Sequence, residues 1–209
     1  MIADVEAAMS AMPPVVVAVV RLQVLSGARC GELLVMKPAD VDRMGEVWTF
    51  NPSTHKGTWR CKSRAIHFGP EAQRILAPLL LRAGDGYVFS PGRSEDDRNA
   101  GRSEERKTPR YPSHMRRNAA KRKPDRARSP GERYTTNTLR RAIERACDAA
   151  GVPRFTPHRL RHLAAHTIRE KFGLEHCRAT LGHTVAAMTA HYSSEVDRRL
   201  AAEVMKAVG

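Results

Sequence analysis

A histidine and an arginine lie one helical turn apart in this sequence, and both could act on a charged substrate. The stretch TPHRLRHLAAH contains His158 and Arg161, and it begins with Thr156 and Pro157, which are typical of a helix start. Residues three apart share one face of a helix, and the helix N-terminus carries a partial positive charge. Both side chains can therefore point at one anion, and the spacing predicts a phosphate site.

The same stretch allows a metal-binding interpretation, because His158, His162 and His166 recur at intervals of four along one helix face. Two or three imidazoles placed in this way could hold zinc in a metal-dependent nuclease. Zinc hydrolases of the HExxH type carry an acid between their histidines, whereas arginines take those places here. A cation beside a metal ion is unfavourable, so we expect no metal ligands; taken alone, the histidines could also be ordinary helix residues.

Two further segments carry residues that could take part in chemistry. Arg29 follows Ser26 and Gly27, which interrupt a long apolar run and predict a corner between two helices. In the C-terminal part, LGH presents His183 after a glycine turn, and AHYSS presents Tyr192 nine residues later. The segment between them is short enough for both side chains to face one cleft.

The charge of the chain narrows the class of partner. Lys and Arg number 36 against 22 acids among 209 residues, a net charge of +14, and such an excess indicates a polyanion. We expect double-stranded DNA rather than a membrane surface, since no basic amphipathic stripe is present.

The sequence shows no signal peptide and no apolar run long enough for a membrane span. We read the four scattered cysteines as reduced thiols, and expect a cytoplasmic, nucleoid-associated protein.

The hydrophobic pattern predicts a mainly helical domain with a small antiparallel sheet. Helices are expected in PPVVVAVVRLQVLS, GPEAQRILAPLLLRA, TTNTLRRAIERACDAAGV and TPHRLRHLAAHTIREKFG. The C-terminal stretches LEHCRATLGH and TVAAMTAHYSSEVDRRLAAEVMKAV are also expected to be helical. EVWTFN and RAIHFG alternate apolar and polar residues, which is typical of half-buried strands. The polar stretch between them predicts a hairpin with a long loop.

The segment from Pro91 to Arg133 differs in composition from the rest of the chain. It contains no Val, Ile, Leu, Phe or Trp, and it holds 11 Arg and 3 Lys against 7 acids, a net charge of +7. A segment with so little to bury cannot offset its ordering entropy. We therefore expect a single domain over residues 1–209 interrupted by a disordered basic insertion at about 91–133.

These motifs together resemble the catalytic domain of tyrosine recombinases, the phage integrase family. The matching pieces, in the family's order, are SGARCGELLVMKPADVD, HKGTWRCKSRAIHFGPEAQ, PHRLRH and LGHTVAAMTAHYSS. The resemblance implies site-specific DNA cleavage and rejoining through a 3′-phosphotyrosine, for a mobile element, by a homo-oligomer on DNA. It implies no cofactor and no metal. Members usually carry an N-terminal core-binding domain, and we expect that domain to be absent from this chain.

The resemblance also implies the site residues. Tyr192 is the expected nucleophile, and Arg29 and Arg161 could clamp the non-bridging oxygens of the phosphate. Lys56 in the hairpin loop is expected to protonate the 5′-oxygen, with Lys62 as its rival. His158 would act as a base or bind the phosphate, and His183 would donate a hydrogen bond to it. The residues expected to contact DNA are Arg29, Lys56, Arg64 and Arg161.

Other residues of the matching motifs have structural interpretations. Glu32 and Asp40 are expected to orient the corner by a salt bridge or a cap, and His162 and His166 to pack or support the site. His55 and His191 are expected to have no role. Two alternatives keep the resemblance but change the function: an idle DNA-binding remnant, and a relaxing enzyme of the type IB topoisomerase kind. If Tyr134 or Tyr111 were the nucleophile, the alignment of motifs would be wrong.

Overall fold

The protein is described by a computed structural model that covers residues 2–53, 64–109, 111–121 and 130–183, together with 196 and 204–205. Its first two helices are α1 (Ile2–Met9) and α2 (Pro14–Ser26). Pro14 starts α2, where its missing N–H costs no helical hydrogen bond. The valines of α2 are buried on several sides, and α2 packs against the helices that follow in the N-terminal, middle and C-terminal parts of the chain. The helix is therefore the centre of the core.

The sheet forms next to this central helix. A short 3-10 turn (Pro38–Asp40) leads into β1 (Val41–Asp42), and β2 (Trp48–Phe50) and β3 (Ile66–Phe68) complete an antiparallel sheet of order β1-β2-β3. Phe50 pairs with Ile66 and Trp48 with Phe68. Phe50, Ile66 and Phe68 are buried, while Thr49 Oγ1 lies 3.2 Å from His67 Nδ1 on the exposed face. This alternation confirms the two predicted strands.

The remaining helices follow in chain order. They are α3 (Cys30–Leu33), α4 (Pro70–Ala83), α5 (Pro91–Glu104), α6 (Pro112–Ala120), α7 (Thr136–Ala150), α8 (Pro157–Phe172) and α9 (Leu174–Leu181). Thr135 caps α7, since its Oγ1 accepts from Thr138 N at 3.2 Å. Thr156 occupies the same position before α8 without a side-chain capping bond. The predicted fold class, mainly α with a small antiparallel sheet, is confirmed.

The first helix of the basic segment is attached to the core. Arg93 donates to the carbonyls of Ala83 and Tyr87, each at 2.8 Å, and the Tyr134 hydroxyl donates to the buried Ser94 Oγ at 3.0 Å. Helix α5 holds three arginines and four acids, whereas residues 105–130 hold ten basic and two acidic residues. The excess positive charge thus lies beyond α5, and disorder of the insertion as a whole stays a prediction.

Within the described ranges, no helix is both long and apolar enough to cross a bilayer.

Candidate active site

Gly27 forms the corner after α2, and both its backbone conformation and its close packing require glycine. Gly27 has φ +64, a left-handed conformation that terminates α2. A Cβ at this position would lie 2.7 Å from Leu181 Cδ2 and 3.6 Å from Ala164 Cβ. The corner therefore packs directly on α8 and α9, which brings Arg29, two residues later, to the helices that carry the other candidate residues.

Glu32 fixes the orientation of Arg29. Its Oε2 accepts from the Arg29 backbone N–H at 3.0 Å, and its Oε1 lies 2.9 Å from Arg29 Nη1. Burial of Glu32 raises its pKa, but the Arg29 N–H, the Arg64 guanidinium and the Arg29 guanidinium together lower the pKa below its usual value. Glu32 is thus ionised and acts as both cap and salt bridge, as the sequence indicated. Asp40 has a similar local role, since its Oδ2 accepts from Lys37 N at 3.3 Å.

Arg161 connects the corner to the end of α9. Its side chain is 1% exposed. Nη1 donates to the Gly27 carbonyl at 2.6 Å, and Nη2 donates to the Leu181 carbonyl at 2.7 Å and lies 2.9 Å from His183 Nε2. One guanidinium therefore joins the corner before Arg29, the helix that carries His158, and the turn that carries His183.

The contact with Arg161 determines the protonation of His183. A guanidinium can only donate hydrogen bonds, so His183 Nε2 must be the acceptor and the imidazole proton must lie on Nδ1. Burial lowers the pKa of His183 to about 4, with further lowering by Arg161, Arg29 and Arg64. His183 is consequently neutral near pH 7, and its Nδ1–H is the proton it can donate.

His158 differs from His183 because it is exposed on the first turn of α8. Partial burial, followed by repulsion from Arg161 and Arg29, lowers its pKa. Its ring meets that of His162 edge to face, with 4.9 Å between centroids. His158 is therefore held as a neutral imidazole at the surface, packed against His162 in the supporting position that the sequence suggested.

Arg29, His158 and Arg161 line the same cleft, whose volume is about 740 Å³. The cleft continues to the start of α7, where Thr136, Asn137 and Arg140 form its wall. Sequence reasoning missed these three residues, because nothing in the local pattern of α7 places its first turn beside the corner. Burial of the Cys30 thiol, which also lines the cleft, raises its pKa.

Gln23 is another residue of the cleft that sequence reasoning missed. It is 1% exposed, and its Nε2 donates to the carbonyls of Ala28 at 3.4 Å and Pro157 at 3.2 Å. The amide therefore connects the corner with the start of α8. A signal was present, since Gln23 is a lone polar residue on the buried face of the apolar run VVVAVVRLQVL.

Several residues of the sequence hypothesis lie outside the described part of the chain: Lys56, its rival Lys62, the nucleophile Tyr192, and His55 and His191. Arg64 is described, and its side chain is 8% exposed, between Glu32 and the end of α9. Tyr134 is buried and bonded to Ser94 in a different part of the molecule, whereas Tyr111 is exposed. Among the described residues, no three His, Cys, Asp or Glu side chains are close enough together to hold a metal ion.

The chain matches the family model of the phage integrase family over residues 3–199. Similar solved structures include XerA recombinase (23% identity, TM-score 0.61, 92% of this chain and 57% of that one). XerH recombinase bound to palindromic difH substrate in a post-cleavage complex is 19% identical, with a TM-score of 0.61 over 97% of this chain and 52% of that one. A lambda integrase dimer bound to a COC′ core site is 19% identical, with a TM-score of 0.59 over 90% and 45%.

The chain thus spans about half the length of the solved structures it resembles. At these identities the likeness establishes the fold. No curated protein matches the chain.

Proposed function

The chain belongs to the phage integrase family, and from that premise we propose that it is the catalytic domain of a site-specific recombinase. Its proposed reaction cleaves and rejoins DNA strands through a 3′-phosphotyrosine, without metal or cofactor. The observation that supports the proposal most directly is the single cleft lined by Arg29, His158 and Arg161, with His183 bonded to Arg161.

The two arginines differ in what they can do for a phosphodiester. Arg29 is 32% exposed at the cleft, and its guanidinium can contact a non-bridging oxygen directly. In its described contacts, Arg161 donates to the carbonyls of Gly27 and Leu181 and to the neutral imidazole of His183, and none of these three acceptors carries a negative charge. Because Arg161 is buried and lines the same cleft, its charge can stabilise the negative charge that develops on the phosphate. Together the two cations take the place of metal ions.

We propose that Tyr192 attacks the phosphorus as the phenol proton passes to a neutral base. The P–O bond to the 5′-oxygen breaks, and a 3′-phosphotyrosine forms. Neutral His158 is suited to accept the proton, because its lowered pKa keeps a lone pair available near pH 7. The 5′-oxygen leaves with a proton from Lys56. In the reverse direction another 5′-hydroxyl attacks, Lys56 takes that proton, and His158 returns the first one to Tyr192.

The role of His183 in this scheme is to donate from Nδ1. Its Nε2 accepts from Arg161, and this hydrogen bond orients the ring. Because the imidazole is neutral, the hydrogen bond adds no charge that salt would screen. We propose that His183 donates to a non-bridging oxygen of the phosphate.

The proposed partners follow from charge and from the related structures. The XerH and lambda integrase structures contain DNA, and the latter is a dimer. We propose that this chain binds double-stranded DNA as a homo-oligomer, that it acts in the cytoplasm at the nucleoid, and that its net charge of +14 provides much of the affinity. We also propose that the described chain forms one catalytic domain, with a basic insertion beyond α5.

A covalent trapping experiment tests this function. A library of nicked duplexes with randomised sequence around the nick would be incubated with the protein in excess EDTA, so that the short 5′-hydroxyl fragment diffuses away after cleavage. The expected result is a protein-DNA band on a denaturing gel, with the peptide adduct on Tyr192. Tyr192→Phe should abolish the band while DNA affinity stays within a few-fold, because the interface is dominated by phosphate contacts.

Three outcomes would contradict the proposal. Binding without a band in the wild type would support the idle remnant. Loss of the band on chelation, with recovery on adding zinc, would support the metal-dependent nuclease. An adduct on Tyr134 or Tyr111 would show that the nucleophile is misassigned.

A further inference from the structure

Arg64 lies where three parts of the proposed site meet. Its Nε is 3.6 Å from Glu32 Oε2, the carboxylate oxygen that also accepts from the Arg29 backbone N–H. Its Nη1 donates to the Thr180 carbonyl at 3.3 Å, in the last turn of α9 before His183. The side chain is 8% exposed, so little of it can reach DNA in this arrangement.

We propose that Arg64 is a positioning residue, which locks the corner carrying Arg29 to the turn carrying His183. The inference rests on the proposed function and replaces the expectation from the sequence that Arg64 contacts DNA. Arg64 acts through Glu32 on one side and through the end of α9 on the other. It would therefore set the distance between two groups that must bind the same phosphate.

Gly182 is adapted to this contact. Its φ is +66, a left-handed conformation that ends α9. A Cβ added at Gly182 would lie 3.0 Å from Arg64 Cζ and closer still to Nη1. The guanidinium thus lies directly on the backbone of the turn before His183, and a side chain at Gly182 would push it away. Both the backbone conformation and the close approach require glycine here.

The electrostatics of Arg64 favour a positioning role over a stabilising one. Burial lowers its pKa, Glu32 raises it, and Arg29 lowers it again. Within the described residues, Nε and Nη2 are buried and make no hydrogen bond. A charged group that is desolvated and incompletely bonded costs free energy. An aliphatic side chain would avoid that cost, but it could not bind Glu32 and the Thr180 carbonyl. The planar guanidinium contacts both at once.

Arg64 also has a defined place in the chain relative to the lysine candidates. It follows directly after residues 54–63, which contain Lys56 and Lys62, and it precedes β3 by two residues. Holding Arg64 against Glu32 and Thr180 therefore fixes the point at which the segment with the lysines returns to the sheet. One side chain relates the corner, the α9 turn and this return point.

The test separates positioning from phosphate contact by rate and affinity. For Arg64→Met and Arg64→Lys, the single-turnover rate of covalent band formation would be measured at saturating concentrations of the nicked duplex library. A positioning role predicts that both variants lose about 10- to 100-fold in this rate, because small misplacements of reacting groups have effects of that size. The dissociation constant should stay within about twofold, and its salt dependence should not change.

A phosphate contact predicts the opposite pattern, and it would overturn the proposal. Arg64→Met would then weaken binding and reduce the slope of log affinity against log salt by about 0.9, while the rate at saturation stays normal. Arg64→Lys would largely restore binding, because a lysine also serves as a point charge for a phosphate. Arg141→Met, at an exposed position of α7 that does not line the cleft, is the matched control for a lost cationic side chain, and it should leave the rate at saturation unchanged.

A second measurement keeps the test independent of catalysis. The side-chain 1H–15N signals of His183 should move in both Arg64 variants, while those of His176, which is exposed on α9, should not. Unmoved His183 signals would overturn the positioning role even if the wild type formed no covalent product. If no product forms but His183 responds, the proposed recombinase function fails and the structural coupling by Arg64 still holds. Arg64→Lys provides a milder variant if Arg64→Met does not fold.

Discussion

Acidification should destabilise this protein through His183. In the folded state the imidazole accepts from Arg161 at 2.9 Å, so protonation of Nε2 would place two donors and two positive charges face to face. The pKa of His183 is accordingly lowered from 6.5 to about 4 by burial and by Arg161, Arg29 and Arg64. In the unfolded chain the same histidine titrates normally.

The magnitude follows from proton linkage. A folded pKa below the unfolded one means that the stabilisation is present above about pH 6.5 and is lost as the pH falls towards about 4. The full effect is roughly 3 kcal/mol, since each tenfold change in an equilibrium constant is about 1.4 kcal/mol. About 2 kcal/mol of this is lost between about pH 7.5 and pH 5, because the unfolded chain binds the proton over this range and the folded one does not.

Urea unfolding of the wild type and of His183→Gln at both pH values measures this effect. Glutamine can still accept from Arg161 but does not titrate, so the other ionisable groups cancel in the comparison of the two proteins. We expect the wild type to lose about 2 kcal/mol more than His183→Gln on acidification. His176→Gln, at an exposed position of α9, is the control for a lost histidine. If wild type and His183→Gln respond equally to pH, the assigned contact with Arg161 is wrong.

Three other perturbations address the corner, the leaving group and the basic segment. Gly27→Ala should lower the free energy of unfolding by about 1–3 kcal/mol more than Gly151→Ala, since both glycines have positive φ but only Gly27 has Leu181 Cδ2 within 2.7 Å of a new Cβ; equal losses in urea unfolding would remove the packing argument. On the ordinary substrate, Lys56→Ala should lose about 10²- to 10⁴-fold in cleavage rate, because it lacks the general acid. A nicked substrate with a 5′-sulfur leaving group should rescue Lys56→Ala but not Lys62→Ala, because sulfur leaves without a proton. The reverse pattern would assign the role to Lys62. Replacing residues 105–130, which have a net charge of +8, by a short Gly-Ser linker should flatten the slope of log affinity against log salt by about 3 if they make three or four phosphate contacts. An unchanged slope would mean that these residues are merely solvated.

Local signals explain which parts of the fold could be predicted. Pro13 and Pro14 at the start of α2 and the left-handed Gly27 after it are local signals, and the helix begins and ends where they predict. The alternation in EVWTFN and RAIHFG reappears as the pairing of Phe50 with Ile66. Thr135 caps α7 through Thr138, three residues away. In each case the interacting partners lie close together in the sequence or repeat with the period of the element.

Contacts between distant residues explain what could not be predicted. Arg161 donates to a carbonyl 134 positions earlier, and Gln23 donates to the carbonyl of Pro157 at the same separation. Backbone carbonyls leave no trace in residue types, so the sequence cannot show which ones an arginine will bind. Arg64 illustrates the consequence. Its position in a basic hairpin suggested a contact with DNA, whereas the fold buries its side chain between Glu32 and Thr180.

Two kinds of acceptor hold the arginines of the site in place. An ion pair fixes a cation but also offsets part of its charge, and the single carboxylate of Glu32 pairs with both Arg29 and Arg64 at the corner. Among the described contacts, Arg161 donates to the Gly27 and Leu181 carbonyls and to His183, and these acceptors fix its guanidinium without carrying negative charge. Holding His183 neutral is part of the same arrangement, since a charged imidazole could not accept from Arg161. The backbone carbonyls of Gly27 and Leu181 thus orient Arg161 without adding negative charge, whereas the carboxylate of Glu32 orients Arg29 and adds one negative charge.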